Sequence, residues 1–169
     1  EKLLWLNQHY LKTLPVEAIE QQLIWHLQQQ QLDITNGPAI ADVINAQRER
    51  AKTLVEMVAI SRYFYEDVNQ YDEAAVQKQF KADTAETLRV VKDQLATIDD
   101  WQGTAIHHAI NQACEQLGVK LGKVGPALRI AVTGGTSSPS LDVTLELIGK
   151  ARSLQRIERA IEFIQATFK

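Results

Sequence analysis

The last eighteen residues constrain the fold most. Leu154, Ile157, Ile161, Ile164 and Phe168 recur at spacings of 3, 4, 3 and 4, the signature of one apolar stripe along an α-helix, with Arg152, Arg156 and Arg159 expected on the opposite side at about 100° per residue. The same period dominates the rest of the chain, and no two alternating apolar/polar runs are joined by an Asn-Gly type turn. The expectation is therefore an all-α protein without significant sheet. Leu128-Arg129-Ile130-Ala131-Val132-Thr133 is rich in β-branched residues, yet a lone strand would have no partner, so helix is expected there too.

Punctuation divides this pattern. Leu3, Leu4, Leu6 and Tyr10 outline a first amphipathic helix, and Pro15 opens a second from Val16 to about Gln30. Asn36-Gly37-Pro38 breaks the chain before stretches at about 38–47 and 53–64. Asp83-Thr84-Ala85-Glu86 resembles a capping box for a helix through Leu88, Val91 and Leu95. A helix at about 104–117 should stop at Gly118, a residue suited to a left-handed cap. Gln28 to Gln31 reads as a solvated helix end. A turn and a weak change of composition near Asn69 to Ala74 place a boundary between two helical subdomains, 1–73 and 74–169.

Composition narrows the function classes. Of 169 residues, 45% are hydrophobic and 23% charged, enough to build a core. The net charge of −3 excludes a uniformly basic nucleic-acid sheath, but it hides an asymmetry: residues 1–117 hold 10 basic and 17 acidic side chains, net −7, and residues 118–169 hold 8 and 4, net +4. A basic tail is either a solvated helical face or the footprint of a polyanion ligand. One cysteine, Cys114, allows no internal disulfide and no structural zinc site, which fits a reducing, cytoplasmic setting. The start Glu1-Lys2-Leu3-Leu4-Trp5 carries neither Met nor a basic-then-apolar leader, so nothing marks the chain for export, and a fragment of a longer protein is expected.

Catalytic chemistry finds few residues to work with. His107 and His108 are adjacent, so on a helix they diverge by about 100° and cannot share a metal. His9 and His26 are isolated, and Cys114 reads as a small buried hydrophobe. Asp99-Asp100 suits a helix entry, as cap and dipole partners. Thr133-Gly134-Gly135-Thr136-Ser137-Ser138 lacks the Gly-Lys-Ser/Thr ending of a phosphate loop. It offers hydroxyls and backbone amides instead, stiffened by Pro139, and such groups read the edges of unstacked RNA bases. Lys120, Lys123, Arg129, Lys150, Arg152, Arg156 and Arg159 flank it and would neutralise phosphates. No recognition-helix motif for duplex DNA is present.

These residues also carry a resemblance. Gly122-Lys123-Val124-Gly125-Pro126-Ala127-Leu128-Arg129, Thr133-Gly134, Ser138-Pro139-Ser140-Leu141 and Gly149-Lys150-Ala151-Arg152 resemble, in order and spacing, the C-terminal anticodon-binding region of bacterial glutamyl-tRNA synthetases. Lys2-Leu3-Leu4-Trp5-Leu6-Asn7 with Tyr10 is similar to the segment after that family's catalytic domain, and Arg50-Ala51-Lys52-Thr53-Leu54 and Tyr63-Phe64-Tyr65-Glu66 to its middle. The resemblance covers essentially the whole chain.

It implies an all-helical, two-part module that holds the anticodon loop of glutamate tRNA, in a parent that is a monomer with neither DNA nor membrane as partner. A separate Rossmann-type domain would charge the acceptor end with ATP and magnesium; its His-Ile-Gly-His-like and Lys-Met-Ser-Lys-Ser-like motifs are not in this sequence, so no cofactor and no catalytic residue is expected here. Residue by residue, Arg50 matches the arginine that inspects the third anticodon base, and Arg129 one at the other two. Ser138, Pro139 and Leu141 match the loop lining that pocket, a hydroxyl and an apolar platform. Lys120, Lys123, Lys150, Arg152, Arg156 and Arg159 remain as phosphate contacts. The family commonly places proline directly before Leu-Arg, whereas Ala127 intervenes here, and Ala151 stands where an acid is common. The competing readings are a helical protein-interaction module and the anticodon module of a synthetase that also charges glutamine tRNA.

Overall fold

The computed structural model describes the backbone from Lys2 to Lys169 and the side chains from Asn7 onward; the expected stripe residues Leu3, Leu4 and Leu6 lie outside the described side chains. Among the described residues all regular structure is helical: α1 (Lys2–Thr13), α2 (Val16–Gln29), α3 (Ile40–Gln47), α4 (Leu54–Ser61) followed by a 3-10 turn (Arg62–Phe64), α5 (Glu73–Gln79), α6 (Thr84–Ala96), α7 (Gly103–Leu117), α8 (Leu121–Thr133), α9 (Leu141–Ile148) and α10 (Lys150–Thr167). The all-α expectation holds, and the β-branched stretch 128–133 is the second half of α8.

The chain forms two compact units that divide between Asp67 and Val68 rather than between 73 and 74. The reason is local. The Asp72 N–H donates to the Gly134 carbonyl at 2.8 Å, and the Gln70 carbonyl lies where a Cβ on Gly134 would be 2.8 Å away, so residues 68–72 are drawn into the second unit.

In the first unit, Ile19, Leu23 and Leu27 line the buried face of α2, which packs on α3 through Val43 and Ile44 and on α4 through Met57 and Val58. Tyr10, expected on the buried stripe of α1, is exposed, and Leu11 is buried in its place. Arg48 ties α1 to α3: its Nε and Nη2 donate to the Leu11 carbonyl at 2.9 and 2.8 Å, and Nη2 also to that of Leu14. These are orphan carbonyls at a helix end, which a guanidinium satisfies with favourable charge. The Asn36-Gly37-Pro38 break is held from above, because the Tyr65 ring occupies the space a Cβ on Gly37 would need while its hydroxyl donates to the Pro38 carbonyl at 3.0 Å.

In the second unit α10 packs against α6, α8 and α9, and α7 against α6 and α9. Gly118 closes α7 with φ 67°, as expected. Two local readings need correction. Asp83 sits in the helical region and caps nothing with its side chain; Thr84 Oγ1 accepts from the Lys81 N–H at 2.9 Å instead. Gln102, not an aspartate, is the residue before α7, and Asp100 accepts from its amide side chain at 2.8 Å. Pro126 lies inside α8, whose start is Leu121. The missing N–H there leaves the carbonyl of exposed Gly122 without its helical donor, a group that water reaches. Short α5, capped by Asp72 accepting from the Ala75 N–H at 2.9 Å, has too few turns to show as a period.

The stripe of α10 holds at its centre and fails at its ends. Its buried face is Ser153, Arg156, Ile157, Ala160, Ile161 and Ile164, while Leu154 is half-buried and Phe168 exposed.

Candidate nucleic-acid interface

The loop after α8 is built on internal hydrogen bonds. Thr133 Oγ1 donates to the Arg129 carbonyl at 2.7 Å, and Gly134, at φ 83°, ends the helix in the left-handed conformation that glycine adopts without strain. Five residues on, Arg129 Nε donates to Ser138 Oγ at 2.8 Å. Ser138 Oγ in turn donates to the Pro139 carbonyl at 2.7 Å, and Thr144 Oγ1, from α9, lies 3.0 Å from that carbonyl and 3.2 Å from Ser138 Oγ. Arg129 is half-buried; Ser138, Pro139, Leu141 and Thr144 are buried.

A hydroxyl at 138 and an apolar platform at 139 and 141 are the residues expected to face RNA; in the chain without RNA the hydroxyl is bonded to Arg129, and Pro139 and Leu141 are buried. The exposed hydroxyls of the loop are those of Thr136, Ser137 and Ser140. Thr144 was missed altogether. The signal was present, since Leu141, Thr144, Leu145 and Ile148 form one buried i, i+3, i+4, i+7 face of α9 in which a threonine interrupts aliphatic residues.

The basic residues separate into three groups. Lys120 and Lys123 are exposed at the start of α8, and Arg152 and Arg159 are half-exposed and exposed on α10. Neither helix has an acidic residue in its first turn. Lys120, Lys123 and Arg152 stand at these helix starts, where a cation opposes the positive end of the helix dipole and adds to a field suited to phosphate, while Arg159 lies mid-helix. Lys150 has a structural engagement: its Nζ donates to the Ile98 carbonyl beyond the end of α6. Arg156 is the clear correction. It is 2% exposed, and its Nη1 donates at 2.8 Å to the carbonyl of Val132 in the last turn of α8. A guanidinium so placed presents no surface to a phosphate. Ser153 and Ala160 are buried beside it on the same face of α10, and Ser153 Oγ donates to the Leu145 carbonyl of α9, partners that counting at 100° per residue does not register.

Arg50 belongs to the first unit, and Arg129 and the other basic residues named to the second. It is exposed in the turn after α3, not on a helix, and its N–H donates to the Gln47 carbonyl at 2.9 Å. Gln47, fully buried, anchors that turn by donating from Nε2 to the Ile60 carbonyl at 3.0 Å.

Among the described residues no three His, Cys, Asp or Glu side chains gather to hold a metal ion, and no helix is long and apolar enough to cross a membrane. His107 and His108 are both exposed. Burial pushes the Cys114 thiol above its ordinary pKa, which disfavours the reactive thiolate.

An all-helical scaffold with basic helix starts and an arginine oriented by a buried hydroxyl pair has the properties of a binding module for nucleic acid. The model of the anticodon binding domain family matches residues 16–161, and the chain belongs to that family. An anticodon is part of tRNA, so this is a tRNA-binding fold. A glutamate tRNA ligase from Elizabethkingia meningosepticum, solved in complex with its amino acid, superposes with a TM-score of 0.87 at 25% identity, over 95% of this chain and 32% of that one. The glutamate-tRNA synthetase of Elizabethkingia anophelis gives 0.82 at 24% identity, over 94% of this chain and 31% of that one. The chain thus spans about a third of the length of these ligases.

Proposed function

We propose that this chain is the anticodon-reading part of a cytoplasmic glutamate–tRNA ligase, holding the anticodon loop of glutamate tRNA while a separate domain, using ATP and magnesium, joins glutamate to the acceptor end. The observation that carries it is the superposition on the glutamate tRNA ligase along nearly the whole chain, within an anticodon-binding family. Arg129, held by Ser138, is assigned to base contact, as is Arg50 on its exposed turn. Lys120, Lys123, Arg152 and Arg159 are assigned to phosphates. A guanidinium donates to a pyrimidine carbonyl at the third anticodon position and meets a guanine edge differently, which supports selection of glutamate over glutamine tRNA.

Titrating the chain with a glutamate anticodon stem-loop, a glutamine anticodon stem-loop and an unrelated hairpin, at several salt concentrations, tests this. Affinity should fall steeply with salt, by a slope of about −0.7 per phosphate contact for single strands, and favour the glutamate loop. Equal binding of both tRNA loops, with the unrelated hairpin weaker, would point to a non-discriminating ligase. No preference among the three would overturn RNA reading. It would favour instead a helical module that docks a partner chain, for which the groove of the first unit beside Tyr10, Leu14 and Val55 is the relevant surface.

A further inference from the structure

Ser138 and Thr144 form a connected pair of buried hydroxyls behind Arg129. Thr144 is fully buried on α9, and one proton on its Oγ1 faces both the Pro139 carbonyl at 3.0 Å and Ser138 Oγ at 3.2 Å. Ser138 Oγ spends its own proton on the Pro139 carbonyl at 2.7 Å, which turns its lone pairs toward Arg129 Nε–H at 2.8 Å. Ser138 accepts from Arg129, whose guanidinium can only donate, and its own proton is left for the Pro139 carbonyl. Nε is the guanidinium nitrogen attached to the side-chain stem, so holding it fixes the plane and aim of the planar fork beyond.

We propose that Thr144 is a positioning residue for base reading: through Ser138 and the Pro139 carbonyl it locks the loop so that Arg129 meets an anticodon base in one orientation. This rests on the anticodon-reading function proposed above. Ser138 is the link through which Thr144 reaches Arg129. The arrangement has a physical logic, because a long arginine side chain gives up rotamer freedom on binding, and a fork already held by buried hydroxyls loses less of it.

The test uses the 169-residue chain and the variants Thr144→Val, which keeps the shape and removes the hydroxyl, and Thr144→Ser, which keeps the hydroxyl and removes a methyl group. Two measurements are made. In the unliganded protein, nitrogen-15 NMR should show the Arg129 Nε–H protected from solvent exchange in wild type and Thr144→Ser, and exchanging faster in Thr144→Val. In RNA titrations, Thr144→Val should reduce the preference for the glutamate loop over one with a changed base about fivefold, the size of one neutral hydrogen bond, with the salt slope unchanged. Thr144→Ser should keep the preference even if it lowers the melting temperature. Combined with Arg129→Ala, Thr144→Val should add no further loss of preference, since both act through one side chain.

An unchanged Nε–H exchange rate in Thr144→Val, or additive losses in the double variant, would overturn the positioning role. A loss of preference in Thr144→Ser that tracks its melting temperature would do the same, by showing a merely structural effect. If wild type showed the protected Nε–H but no preference among RNA loops, the hydroxyl lock would stand and the anticodon reading would fall, taking the assignment of its purpose with it.

Discussion

Arg156→Ala should cost the second unit much of its stability and leave phosphate binding untouched, the reverse of what a surface arginine would do. The side chain is 2% exposed and its Nη1 lies 2.8 Å from the Val132 carbonyl, so alanine removes a charge-assisted hydrogen bond at the end of α8. That bond contributes about 1.5–3 kcal/mol, and the vacated volume adds a cavity penalty, partly offset because a buried charge no longer has to be desolvated. The net expectation is about 2–4 kcal/mol, or a melting temperature lower by about 10–20 °C for a unit of this length. Arg159→Ala, an exposed neighbour one turn away, should stay within about 0.5 kcal/mol of wild type. Thermal unfolding followed by circular dichroism measures both, and salt-dependent RNA titration well below the transition measures the slope. If Arg156→Ala melted with wild type and lost about one unit of salt slope while Arg159→Ala did not, the burial argument would be refuted.

Other expectations follow from the same structure. Arg129→Ala should flatten the preference among anticodon loops, whereas Lys123→Ala should weaken all RNAs alike and reduce the salt slope by about one; identical behaviour of the two in parallel titrations would break the division into base and phosphate contacts. Gly134→Ala places a methyl group 2.8 Å from the Gln70 carbonyl at a φ of 83°, and should lower stability by about 1–3 kcal/mol in urea unfolding. Burial, with Asp42 nearby, raises the Tyr65 hydroxyl above its ordinary pKa of 10.0. The neutral form is the one the fold favours, so this stability is complete below the unfolded value and lost as pH rises above it. Tyr65→Phe should therefore lower stability at neutral pH, by loss of the bond to Pro38, while flattening its alkaline decline. Cys114, buried with its pKa raised, should react with a thiol reagent slowly in the native chain and quickly in urea.

Much of this molecule was legible residue by residue, and the limit of that legibility is instructive. Gly118 ends a helix because a left-handed residue without a Cβ penalty must stand there, an effect that resides in the local backbone, and Asn36-Gly37-Pro38 lies as expected in a break, between α2 and α3. The helical class follows from apolar spacing, which records which face a helix buries. Asp83 misled because its own backbone is helical, so its carboxylate does not reach the first helix N–H groups, and only the three-dimensional geometry shows that.

By itself, then, the sequence determined the helical class, most of the breaks, and the family through the order of its motifs. Tertiary structure alone decided what the polar side chains do. Arg156 is turned inward onto the Val132 carbonyl at the end of α8, and Ser138 meets Thr144 of α9 behind it. Periodicity assigns a face to each residue, but a buried polar group must find its partner in three dimensions, and the partner lies on another helix.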